Sequence, residues 1–163
     1  MLVFRCTKRV VRHLGLQLVE QPSASTGKLG DWYVNLTDAG IHPWFLCVSE
    51  RTLLPVLIPA SFDALHSKFP LILSGVLRAL GIEETLIKQE LPQPGEVAFA
   101  RTRDRQVLGA MNDFSRQVEG YPGALASNSD AIQASLWVAE SPMSPIGYES
   151  PDRYVRTLLG SRA

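Results

Sequence analysis

Between residues 32 and 58 three short apolar runs follow one another, and their connections are too brief to cross a sheet. Trp32, Val34 and Leu36 alternate with Tyr33 and Asn35, the period-two pattern of a half-buried strand. Trp44-Phe45-Leu46-Cys47-Val48 is continuously apolar and suits a central strand. The third run, Leu53 to Ile58, contains Pro55, which has no N–H to give to a ladder. It is therefore expected at an edge, or to begin late. Turns at Thr37–Gly40 and Glu50–Thr52 favour an antiparallel meander.

Around this meander the signals alternate. Leu2 to Arg5 is expected to be a first strand ending at Cys6, and Thr7 an N-cap for a helix with Val10, Val11 and Leu14 on its apolar stripe, stopped by Gly15. Lys8, Arg9 and Arg12 form the opposite, basic face. Ser61 is expected to cap a helix carrying Phe62, Leu65 and Phe69, with a break or kink at Pro70. Ile72, Leu73, Val76, Leu77 and Leu80 continue the stripe to Gly81. An acidic helix over 83–91, ended by Pro92 and Pro94, precedes a strand with Val97, Phe99 and Arg101 on one face. Asp104 caps a strong helix with Val107, Leu108, Met111, Phe114 and Val118 on one side. A helix near 129–139 and a final helix from Pro151 close the chain.

The pattern predicts an α+β fold: a single antiparallel or mixed sheet of four to five strands, with helices packed mainly on one face. The 163 residues form one domain, with a core over about 1–120 and a Pro-interrupted helical extension over about 121–163, packed on that core or on a partner.

Composition narrows the classes. A 45% hydrophobic chain with sixteen Lys+Arg against sixteen Asp+Glu is neither disordered nor a general nucleic-acid binder. Two cysteines cannot form a disulfide framework. No apolar run approaches the ~18 residues of a spanning helix. Near the N-terminus the charges follow the apolar stretch, the wrong order for a secretory signal, so the expected location is cytoplasmic, with no membrane partner.

No P-loop, dinucleotide fingerprint, zinc-protease motif, C-x-x-C or nucleophile elbow occurs. Gly27-Lys28-Leu29-Gly30 only superficially resembles a phosphate loop. His13, His42 and His66 stand apart from one another, so no metal site and no cofactor are predicted. Cys6 and Cys47, on or beside apolar strands, are expected to act as small hydrophobes.

Two clusters stand out. In the first, Arg101, Arg103 and Arg105 would share a strand face if the strand persisted, with Asn112 and Asp113 two turns into the next helix. A guanidinium and a carboxamide there would suit an anion at a strand-to-helix junction. The plainer explanation has Asn112 bonding a strand end or loop backbone. In the second, Ser49-Glu50-Arg51-Thr52, a turn accounts for the polarity. Trp32, Tyr33 and Asn35 could stack on and bond a base, but core packing explains them better.

Cys6-Thr7-Lys8, Gly30-Asp31-Trp32-Tyr33 with Asn35, the run from Leu46 to Val56 and Val107 to Phe114 together resemble a bacterial family of small proteins known only as a domain of unknown function, over roughly residues 1–120. The resemblance implies a bacterial cytoplasmic origin and a single domain. It implies no activity, cofactor or catalytic residue.

Two functions remain in view. The first is a non-enzymatic protein-binding or accessory module of a bacterial cytoplasmic assembly, which binds a protein partner or self-associates. Its partner-facing candidates are Trp137, Met143, Tyr148 and Tyr154 in the tail, types enriched in interface cores. The alternative is a nucleic-acid-binding or phosphate-directed protein using Lys8, Arg9, Arg12, Arg101, Arg103, Arg105, Asn112 and Asp113. It requires the basic helix and the arginine cluster to lie on one surface. With no catalytic motif in the chain, the balance points away from an enzyme.

Overall fold

The structure, a computed structural model, describes residues 1–40, 42–93 and 95–160. The elements run β1 (Leu2–Cys6), α1 (Lys8–Leu14), β2 (Trp32–Ala39), β3 (His42–Ser49), β4 (Pro55–Pro59), α2 (Ala64–Ser67), α3 (Phe69–Ala79), α4 (Glu84–Glu90), β5 (Val97–Arg101), α5 (Arg105–Glu119), α6 (Asn128–Val138) and α7 (Pro151–Leu159). Pro94, expected to help end α4, lies outside the described residues.

The α+β class holds, with one mixed five-stranded sheet in the order β4-β3-β2-β1-β5. β2, β3 and β4 form the expected antiparallel meander. β1 pairs in parallel with both β2 and β5. The register sets Phe4 opposite Trp32 and Phe99, and Cys6 opposite Val34 and Arg101. These side chains point to one face by the strand period. That face is covered by the first three helices. Phe69 of α3 meets the rings of Phe4 and Trp32, each at 5.0 Å; His13 of α1 lies edge-on to Phe45, and His66 of α2 lies edge-on to Phe99. The opposite face is not bare: Tyr33, Leu46 and Val48 are buried there beneath α5, whose inner stripe is Val107, Ala110, Met111, Phe114 and Val118.

Pro55 places β4 at the edge, as its missing N–H requires. The strand's outward N–H positions alternate, and two of them fall on Pro55 and Pro59. The third, Leu57, donates to Ser135 Oγ of α6 at 2.9 Å. α6 thereby packs along β4 and against α3, where Gly75 makes room for Ile132. At the other edge Val19 N–H donates to the Phe99 carbonyl at 2.8 Å.

Some local expectations change. Ser61 does not cap a helix: α2 begins at Ala64, and Phe62 is 82% exposed, outside the apolar stripe. The break expected at Pro70 is present, just ahead of it: α2 ends at Ser67 and α3 starts at Phe69, with the proline tolerated in its first turn. Thr7 is the N-cap of α1, but its hydroxyl donates to Asn35 Oδ1 at 2.8 Å and caps no N–H. Asp104 caps α5 as expected, accepting from Gln106 N–H. Among the described residues no helix is long and apolar enough to cross a membrane.

Candidate functional site

At the carboxyl ends of the parallel neighbours β1 and β5 the chain departs in opposite directions. After Cys6 it enters α1, on the Phe45 face. After Arg101 it crosses to the other face, where Asp104 N–H donates to the Tyr33 hydroxyl at 3.0 Å and α5 begins. Such a divergence opens a crevice beyond the strand ends, where open sheets with parallel strands bind ligands.

The crevice here measures about 370 Å³. Cys6, buried, and the half-buried Val11 and Leu18 form its apolar wall, beside Thr102. Three exposed cations, Lys8 and Arg12 of α1 and Arg101 of β5, complete the lining. Among the described residues no carboxylate or imidazole lines it. Among the described residues none of these three cations belongs to an ion pair. Burial pushes the Cys6 thiol up to about 12, so it stays protonated near neutrality and is a poor nucleophile.

A polar cluster on the opposite sheet face holds this end of the sheet in place. Arg5 pairs with Asp31 at 2.7 Å, and its Nη1 donates to the carbonyl of Arg101 at 2.8 Å, fixing the strand end that carries a crevice cation. Asp31 also accepts from Ser25 Oγ at 2.6 Å. Arg103 clasps Glu50 with two bonds of 2.8 and 3.2 Å and lies 3.5 Å from Asp31. Glu50 accepts the Tyr33 hydroxyl at 2.8 Å. Burial, reinforced by Glu50, raises the Tyr33 phenol to about 12, and the bond to Glu50 drives the Arg103 guanidinium upward. Two guanidiniums face two carboxylates here, so the cluster neutralises itself, whereas among the described residues the three crevice cations form no ion pair.

The structure thus brings Lys8, Arg12 and Arg101 together and separates the other candidates. Arg9 is exposed on α1 outside the crevice lining, and Arg105 is exposed at the start of α5. Because β5 ends at Arg101, the three arginines 101, 103 and 105 share no strand face. Asn112 and Asp113 are exposed on α5, so Asn112 neither joins a guanidinium at the junction nor braces a strand end; Asp113 pairs with Arg116 at 3.6 Å. Both line a separate cleft with Tyr148. Of the tail candidates, Met143 is buried, Tyr154 half-buried, and Trp137 packs edge-on against Tyr121; Tyr148 is 74% exposed.

Other features have internal uses. The N–H groups of Lys28 and Leu29, in the glycine loop, donate to Glu90 at 2.9 and 2.8 Å, so a carboxylate from α4 takes the place of an anion. Cys47 is buried, with its thiol raised by desolvation and then by Cys6. Among the described residues no three His, Cys, Asp or Glu side chains converge on a metal position. The local pattern did not single out Cys6, Val11, Leu18 and Thr102 as crevice wall, nor Arg5 with Asp31. A charged residue within the apolar strand Leu-Val-Phe-Arg-Cys was the available signal, since a buried guanidinium requires a partner.

Fold and site together define an open-sheet α+β domain with a cation-lined crevice at a switch point between parallel strands. The chain belongs to the family described as Domain of unknown function (DUF6933), matched over residues 3–154. No curated protein and no solved structure matches it.

Proposed function

We propose that this protein is a non-enzymatic binding module for a phosphate-bearing ligand, taken up in the crevice between β1 and β5. The observation that carries this reading is the meeting of Lys8, Arg12 and Arg101 around one crevice whose lining holds no carboxylate. Cations brought together without countercharge repel one another, and a bound anion relieves that repulsion. The lining also lacks a carboxylate or imidazole to act as a base, which favours binding over turnover. Three cations are few for a nucleic-acid track, where ~6–10 phosphate contacts are common, so a small phosphate compound is favoured over a polynucleotide.

The test is calorimetric titration of the full chain with inorganic phosphate and pyrophosphate. Saturable binding that weakens with salt, and is lost in Arg12→Ala and Arg101→Ala, is expected. Unchanged binding in both variants, or none in the wild type, overturns the reading.

A second reading, an accessory subunit with a protein partner, is favoured by the exposed aromatic side chains Phe62, at 82%, and Tyr148, at 74%, a residue class enriched in interface cores. Capture of a partner that survives nuclease and is lost in Phe62→Ser would support it.

A further inference from the structure

The chemistry of the crevice wall narrows the ligand beyond its charge. Resting on the phosphate-binding reading above, we infer that the crevice takes a small amphiphilic phosphate monoester: a dianionic head among Lys8, Arg12 and Arg101, and a short apolar body against Cys6, Val11 and Leu18.

Inorganic phosphate alone would leave the apolar wall in water. The methylene stems of Lys8 and Arg12 extend that wall below their charged ends. Leu18 is not on a loose strand of loop, because the neighbouring Val19 N–H is bonded to the Phe99 carbonyl of β5 at 2.8 Å. Val11 belongs to α1, whose Val10 and Leu14 are buried on the sheet. Both apolar positions are thus held before a ligand arrives, as in preformed small-molecule sites.

Charge and size set the two ends of the molecule. A phosphate monoester carries nearly two negative charges at neutral pH and offers three acceptor oxygens, which suits three cations better than a monoanionic carboxylate. A crevice of about 370 Å³ holds roughly a dozen water-sized groups at ~30 Å³ each. Once the phosphate is placed, that leaves room for a body of a few carbons and not for a long lipid chain.

The experiment is calorimetric titration of the full chain with inorganic phosphate, methyl, butyl, hexyl and dodecyl phosphate, together with hexanoate and hexanol. Affinity is expected to rise about fourfold for each methylene buried, and to level off before dodecyl phosphate. Hexanoate should bind more weakly than hexyl phosphate, and hexanol not at all. Leu18→Ser should flatten the chain-length dependence, and the wild-type series stands without that variant. Phosphates that bind equally well at every length overturn this inference and leave the phosphate reading standing. Hexanoate matching hexyl phosphate overturns the choice of a dianionic head. Continued tightening through dodecyl phosphate overturns the short body. Absence of binding by every phosphate overturns both proposals.

Discussion

Arg5 and Asp31 form an ion pair at 2.7 Å in which neither side chain is more than 8% exposed. They stand 26 residues apart in sequence and are joined by the parallel pairing of β1 with β2. Removing one partner strands a charge in the interior. Asp31→Ala is expected to lower stability by about 3–5 kcal/mol, read as a lower urea midpoint. The double replacement Arg5→Met with Asp31→Leu should recover most of the loss, because two apolar groups leave no unpaired charge. A double variant as unstable as the single one would refute this account.

The alkaline side of the stability profile belongs in part to Tyr33. Its phenol titrates at about 12 in the folded chain against an ordinary value of 10, chiefly because it is buried and then because Glu50 disfavours a second negative charge. A group raised on folding contributes its stability below the unfolded value and loses it as pH climbs through the folded one. Between pH 10 and 12 the wild type should therefore lose stability more steeply than Tyr33→Phe. Urea midpoints of the two proteins across that window provide the check.

Ser135 serves two bonds, accepting from Leu57 N–H at 2.9 Å and donating to the Ala131 carbonyl at 2.7 Å. It is fully buried. Ser135→Ala leaves the Leu57 amide without a partner and is expected to cost about 1–3 kcal/mol. Hydrogen exchange at Leu57 should accelerate more than at Leu46 on β3. Equal acceleration at both would assign the loss to global destabilisation alone.

Gly27 passes so close to Glu90 that a Cβ there would lie 2.5 Å from Oε1. Gly27→Ala must push the carboxylate off the N–H groups of Lys28 and Leu29, at a cost of about 1–3 kcal/mol. Glu90→Ala removes the same two bonds. The double variant should then lose clearly less than the sum of the singles, since both act on one contact. Strict additivity in thermal unfolding would show that the two residues are independent.

What could be read locally was what local rules govern. The alternation of Trp32, Val34 and Leu36, the missing N–H of Pro55 and the capping carboxylate of Asp104 each act within a few residues, and each predicted its element. Phe62 misled because its spacing to Leu65 and Phe69 is helical, whereas the chain forms two helices with Phe62 before the first. The site depended on adjacency. Arg103 and Glu50 are 53 residues apart, and the turn chemistry of Glu50 hid its second role as a partner. Lys8 and Arg12 were legible as a basic helix face. Their convergence with Arg101 followed only once β5 had paired with β1 on the side away from the meander.

The prolines of β4 have a consequence for how this chain behaves in company. An unpaired strand border is a template on which another extended chain can grow, and repeated growth of that kind ends in fibres. Pro55 and Pro59 remove two of the donors such growth requires, Ser135 occupies the one between them, and Val19 engages a carbonyl on the far border at Phe99. At these positions a neighbouring copy finds no free register to copy. The sheet therefore does not offer the chain a seed for its own polymerisation there.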